Sequence, residues 1–190
     1  MKVDQLIAAS FTTTDAKAWR TFVPTSRQLD IVAKVGRDVL RHLRPIAAAC
    51  VSMSVVYAAH LRRTAGIPSY VVAGSLRVGN VYVFGDGKAF DGRKVLSRSN
   101  SDWDGHAWVM VGNYLADVSI FRTVYSGKAH PVLTEHVRRE FGDGHGLLIC
   151  KHSAAPLSGL YYQPQYVLTE AQADEILLGA KWLFTGADAP

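Results

Sequence analysis

The sequence predicts an α+β fold in which helices come first and an antiparallel sheet follows. Three observations carry that expectation. Apolar residues keep helical spacing through the N-terminal third, the pattern changes to β-branched and aromatic runs after Gly66, and no strand–helix alternation demands a parallel sheet. With 190 residues the chain has room for one domain with a self-sufficient core, and 1–190 is read as one. Hydrophobic residues at 48% and charged residues at 19% exclude a disordered chain or a fibre.

The N-terminal helices are expected over residues 15–44. Within them, 27–44 place Leu29, Val32, Val39, Leu40 and Leu43 at helical spacing with Arg and Lys between them, behind the start signal Pro24-Thr25-Ser26. Pro45 breaks this amphipathic helix. A second helix is expected from about Ala47 to Ala65, stopped by Gly66 and uncharged on every side until Arg62, as in a helix surrounded by protein. The runs SYVVAGSLRV and NVYVF, separated by Gly79-Asn80, and HAWVMV and YLADVSIF, separated by Gly112-Asn113, read as strands, the second pair as a hairpin. Residues 85–105 between them read as a loop, long enough to suggest a functional role. A short helix over 133–141, strands over 147–150 and 160–168, and a helix to Phe184 opened by the capping box Thr169-x-x-Gln172 complete the chain.

Between Arg44 and Arg62 lie 17 uncharged residues, but Pro45, Ser52, Ser54 and His60 among them favour a buried core helix over a membrane span. Asp4 and a four-residue apolar stretch are a poor signal peptide, and two cysteines make no disulfide framework, so a reducing, cytoplasmic setting is expected. The 21 Lys+Arg against 16 Asp+Glu give +5 without a basic run, so nucleic-acid binding is not indicated.

The hairpin carries the chemistry. With Gly112-Asn113 as the turn, Val111 faces Tyr114, Met110 faces Leu115, Val109 faces Ala116 and Trp108 faces Asp117. His106, Trp108 and Asp117 then share a face, with His106 and Asp117 diagonal neighbours roughly 7 Å apart at the backbone. A carboxylate bonded to one imidazole nitrogen fixes the tautomer and leaves the other nitrogen to act on a nucleophile. Cys50 is the candidate nucleophile: it lies in the first turn of the buried helix, where unpaired N–H groups and the helix dipole favour a thiolate and an oxyanion.

Cys50 on a central helix, LRRTAGIPSYVVAG over 61–74, HAWVMV from His106 and YLADVS around Asp117 together resemble the transglutaminase-like branch of the papain-like cysteine enzymes. The resemblance covers residues 47–121. Within that branch it is similar to the leader peptidases that mature lasso peptides and, more distantly, to arylamine N-acetyltransferases. It implies a papain-like core, a Cys50-His106-Asp117 triad and acyl transfer from an amide of a peptide or protein substrate, with no metal or organic cofactor. A peptidase or amidase is the leading expectation. A transglutaminase or deamidase acting on protein glutamine, and a catalytically idle peptide-binding module, are the alternatives. Three departures, Ala47-Ala48-Ala49 before the cysteine, Met110 in place of an acid and Val118-Ser119 in place of Pro-Thr, leave the substrate class open.

Trp108, Trp103 and Asp104 are candidate substrate-binding residues, since the loop over 85–105 leads directly into the histidine strand. Trp108 has a core role as its competing reading, and Asp102 and Asp104 are rivals to Asp117 as the orienting acid. Trp19 and Gln28 are candidates for a second oxyanion donor. His136, His145, Cys150 and His152 form a competing set of metal ligands, with Cys150-x-His152 on one face of a strand, though their spacing fits no tight zinc pattern.

Overall fold

The computed structural model describes residues 2–44, 49–96 and 103–180. The chain begins with α1 (Val3–Ser10), α2 (Thr13–Thr21), α3 (Ser26–His42) and α4 (Cys50–Ala65), followed by β1 (Tyr70–Val78) and β2 (Val81–Phe84). Next come α5 (Gly92–Val95), β3 (His106–Val111), β4 (Tyr114–Asp117), α6 (Ile120–Tyr125) and α7 (Pro131–Phe141). The strand β5 (Leu148–Lys151), a 3₁₀ segment (His152–Ser158), β6 (Leu160–Val167) and α8 (Glu170–Gly179) complete it. The fold is α+β with an open, antiparallel six-stranded sheet. Among the described residues no helix is long and apolar enough to cross a membrane.

Both faces of the sheet are covered, and strand alternation divides the core in two. Val71, Ala73, Ala107, Val109 and Val111 point to the side of α3 and α4, whereas Val72, Leu76, Trp108, Met110 and Leu115 point to the side of α1, α6 and α7. The helix α4 is buried along most of its length, as its missing charges predict, and Tyr57 at its centre donates to the Val32 carbonyl of α3 at 2.7 Å. It still turns His60 to solvent.

Along β1, Val72 pairs with both Trp108 and Val167, while Arg77 pairs with both Tyr82 and Tyr161. The strand β6 therefore follows one edge of β1, and β3 and β2 share the other edge end to end. Residues 85–105 leave this composite strand and return to it, so that Phe84, opposite Leu76, stands next to His106, opposite Gly74. The neck is closed by the Gly85 N–H donating to the Asp104 carbonyl at 3.0 Å. Three glutamine amides hold the excursion down: Gln163, Gln165 and Gln172 donate to the carbonyls of Gly87, Lys88 and Gly92.

Several boundaries differ from the sequence expectation. The apolar start forms α1, outside the helices expected over 15–44, and the excursion contains α5 where only loop is expected. The described cysteine helix begins at Cys50, with 45–48 outside the described residues, as is the expected end of the last helix beyond Ala180. The strand expected to continue to Phe121 stops at Asp117, because the Asp117 carboxylate accepts the N–H groups of Ser119 and Ile120 and so opens α6. Likewise β5 ends at Lys151 and His152 opens the 3₁₀ segment, so Cys150 and His152 do not share a strand face.

The β3–β4 register is the one the two-residue turn predicts: Val109 faces Ala116, Met110 faces Leu115 and Val111 faces Tyr114. Gly112 holds that turn at φ 54°, and a Cβ there would stand 2.5 Å from the Phe22 carbonyl oxygen. We expect Gly112→Ala to cost about 1–3 kcal/mol in urea unfolding, from strain and overpacking together. Gly66→Ala, at φ 62° but with open space around the new methyl, should cost about 1 kcal/mol.

Candidate active site

His106 opens β3 and Asp117 closes β4, so adjacent strands bring them together, and both side chains are fully buried. His106 Nε2 donates to Asp117 Oδ2 at 2.5 Å. The same oxygen accepts the Tyr162 hydroxyl at 2.8 Å. Oδ1 accepts the Ser119 N–H at 2.9 Å, the Ser119 hydroxyl at 3.1 Å and the Ile120 N–H at 3.0 Å. Burial alone would push the Asp117 carboxyl up. The His106 charge and hydrogen bond, with the Ser119 and Tyr162 donors, reverse that and hold it below the usual range. Burial likewise pulls the His106 imidazole down. Asp117, through its charge and hydrogen bond, and then Cys50 outweigh that and raise it.

Cys50 is the first residue of α4 and is partly exposed. One turn later Ser54 donates to the Ala107 carbonyl at 3.1 Å, which ties this end of α4 to the start of β3. His106 Nδ1, the nitrogen turned from Asp117, is buried without a well-aligned hydrogen bond, and Cys50 is the side chain placed to supply one. Among the described residues the first helical bond of α4 runs from the Met53 N–H to the Ala49 carbonyl, and the N–H groups of this first turn point toward the helix's N-terminal end. Ala49, at the N-cap, has no side chain to cap them. By contrast α2, α3 and α8 begin with full capping boxes.

Aromatic rings surround the pair. Phe84 stacks on the His106 ring at 4.8 Å between centroids, Trp108 lies at 6.3 Å and Tyr162 at 6.1 Å. Trp108 is fully buried and meets Tyr162 edge-on, so its place is in the core behind the pair. Trp103 is partly buried against Phe90, in the excursion above the Cys50 side of the sheet, and Asp104 is exposed. The carboxylate bonded to His106 is that of Asp117, while Asp102 lies outside the described residues.

Neither expected oxyanion donor is brought to Cys50. Trp19 packs into the cluster on the other side of the sheet, and the Gln28 side-chain oxygen closes the cap of its own helix. His136 is engaged by the Ser158 carbonyl and by Arg139, and His145 lies against Phe121. Among the described residues no three His, Cys, Asp or Glu side chains are grouped to hold a metal ion.

Sequence reasoning missed Phe84, Tyr162 and Ser119. The Asp117-x-Ser119 spacing ahead of an apolar run was a readable helix-start signal. Phe84 and Tyr162 reach the site through strand pairings that no local pattern reveals. Comparison with protein-family models, curated proteins and solved structures gave no match.

The buried pair makes stability depend on pH in a defined sense. His106 is raised above its ordinary 6.5, so its contribution is complete below that pH and is lost as pH climbs through the raised value. Asp117 is lowered from 3.8, so its contribution is complete above that pH and is lost as pH falls through the lowered value. Both are complete between pH 3.8 and 6.5. Denaturant unfolding across pH should show the pair at full strength in that window. Asp117→Asn should cost roughly 3–5 kcal/mol there and flatten the dependence.

Proposed function

We propose that this protein is a cysteine-dependent acyl-transfer enzyme of the transglutaminase-like, papain-fold type, acting as a peptidase or amidase. Cys50 is the nucleophile, His106 the general base and acid, and Asp117 the orienting carboxylate. The observation that carries the reading is a buried His106–Asp117 pair whose other ring nitrogen turns to the partly exposed Cys50 thiol at the start of α4. Helix, histidine strand and aspartate strand follow each other in the chain order that the sequence resemblance implies.

The reaction follows from the geometry. Nδ1 of His106 takes the thiol proton while Nε2–H stays on Asp117, and the thiolate adds to the amide carbonyl carbon. The negative oxygen is placed at the N-terminal end of α4, where the helix dipole favours negative charge. Nδ1–H then protonates the amine nitrogen as the C–N bond breaks, leaving a thioester on Cys50. Water gives a proton to Nδ1 as its oxygen adds to the thioester. The C–S bond breaks, the carboxylic acid leaves and Cys50 regains its proton. An amine in place of water would make the same site a transferase. No organic cofactor enters any step. Peptide or protein amides are the expected substrates, and Trp103, packed on Phe90 at the Cys50 side of the sheet, would offer them an apolar contact.

Iodoacetamide alkylation across pH tests this. Burial and the Asp117 charge push the Cys150 thiol up, so Cys150 should react slowly, and Cys50→Ala should remove the fast phase. Cys50 should react rapidly already at about pH 6, and His106→Ala should abolish that early limb. In a screen of peptide and acyl amides, His106→Ala should lower turnover by about 10²–10⁴-fold. A Cys50 rate that rises only near an ordinary thiol value of about 8.5, with or without His106, would leave a peptide-binding module on the same fold.

A further inference from the structure

Tyr162 lies on β6, beyond the region in which the sequence carries the proposed triad, yet its hydroxyl reaches the carboxylate of that triad. β6 pairs with β1, and its Tyr162, opposite Leu76, crosses the sheet face to donate to Asp117 Oδ2 at 2.8 Å. That is the same oxygen that accepts His106 Nε2 at 2.5 Å. The ring is held by Trp108, which meets it edge-on at 5.0 Å, and the residue is 7% exposed. A hydroxyl so enclosed needs a partner, and the partner is an anion.

We propose that Tyr162 is a positioning residue that sets the proton affinity of His106 by sharing Asp117 Oδ2 with it. The proposal rests on the thiol-enzyme reading for its catalytic meaning but not for its physical test. A carboxylate oxygen that accepts two donors is a weaker base toward each, so the Tyr162 hydroxyl draws charge away from the His106 bond. The imidazolium is then stabilised less than an unshared Asp117 would stabilise it, and His106 gives up its proton more readily to a leaving amine. The hydroxyl also fixes where Oδ2 stands, while Ser119 and Ile120 fix Oδ1, so the carboxylate cannot turn away from the imidazole. Burial and the nearby negative charge hold the Tyr162 hydroxyl well above its usual titration range, so it remains a donor.

Other titratable groups face this cluster. Cys50 approaches His106 from α4, Cys150 from β5 feels both Asp117 and Tyr162, and His152 accompanies Tyr162 from the 3₁₀ segment. Cys150→Ala in every protein compared removes the one thiol that would blur the result.

The experiment is nitrogen NMR titration of His106 in the full chain, alongside the alkylation profile of Cys50. Tyr162→Phe removes the hydroxyl and keeps the ring. His106 should then hold its proton to a pH higher by about one unit, with the proton of the His106–Asp117 bond moved downfield. 3-Fluorotyrosine incorporated at position 162 donates more strongly and should move both signals the other way, which keeps the test open should Tyr162→Phe fail to fold. A folded Tyr162→Phe protein with an unchanged His106 titration overturns the proposal, as does a fluorotyrosine shift of the same sign as the Phe shift. His106 moving as stated together with the Cys50 profile supports both proposal and enzyme reading. His106 moving while the Cys50 profile stays that of an ordinary thiol supports the Tyr162 link and overturns the enzyme reading.

Discussion

One carboxylate holds the centre of this molecule. Asp117 is fully buried and accepts five hydrogen bonds: from the His106 ring, the Tyr162 hydroxyl, the Ser119 hydroxyl and the backbone of Ser119 and Ile120. An isolated buried carboxylate would protonate rather than bear the desolvation cost. Its persistence as an anion therefore requires β3, β4, β6 and the start of α6 to meet at one point. Each is held there by pairings of its own, so the site inherits its rigidity from the sheet. His106 in turn has one ring nitrogen committed to Asp117 and the other turned to Cys50.

The second constraint is the interrupted strand. Along one edge of β1 the chain runs as β2, departs for residues 85–105, and resumes as β3, so the excursion leaves and rejoins beside His106. Such a loop would be entropically costly if loose. Here its neck is closed by a backbone bond and its carbonyls at 87, 88 and 92 are held by glutamines. Phe90, Val95 and Leu96 add it to the core that contains Cys50. Under the proposed enzyme reading, the described part of this excursion, fixed beside the His106–Asp117 pair, would orient a chain-like substrate better than an open strand edge.

Much of this was legible in the sequence because it is locally coded. Alternation and a Gly-Asn turn are enough to place His106 and Asp117 on one face, since strand parity is two residues and a two-residue turn leaves no freedom of register. The start of the last helix was legible for the same reason, in Thr169 and Gln172. What escaped was coded at long range or by competition. The end of β4 at Asp117 escaped because an aspartate that looks like a strand residue also caps the next helix. Tyr162 and Phe84 escaped because the fact that β2 and β6 share β1 with β3 is settled by packing. α1 escaped because eight residues with little flanking signal are stabilised by burying Val3, Leu6 and Ile7 against β6 rather than by propensity.

The start of α4 ties these threads together. A cap is worth about 1 kcal/mol, and this chain installs one at α2, α3 and α8. At α4 it places Ala49 instead, whose side chain can accept no such bond. The four N–H groups at a helix start are satisfied by side chains, water or a ligand, and they favour negative charge. A helix start without a side-chain cap at Ala49, beside a partly exposed thiol and close to a histidine whose other nitrogen is anchored, keeps that preference for negative charge at Cys50. In a purely structural helix it would be a stabilisation forgone. Under the proposed enzyme reading, this start next to His106 is where a thiolate and then an oxyanion would be stabilised in turn, and that is the physical reason to seek a substrate.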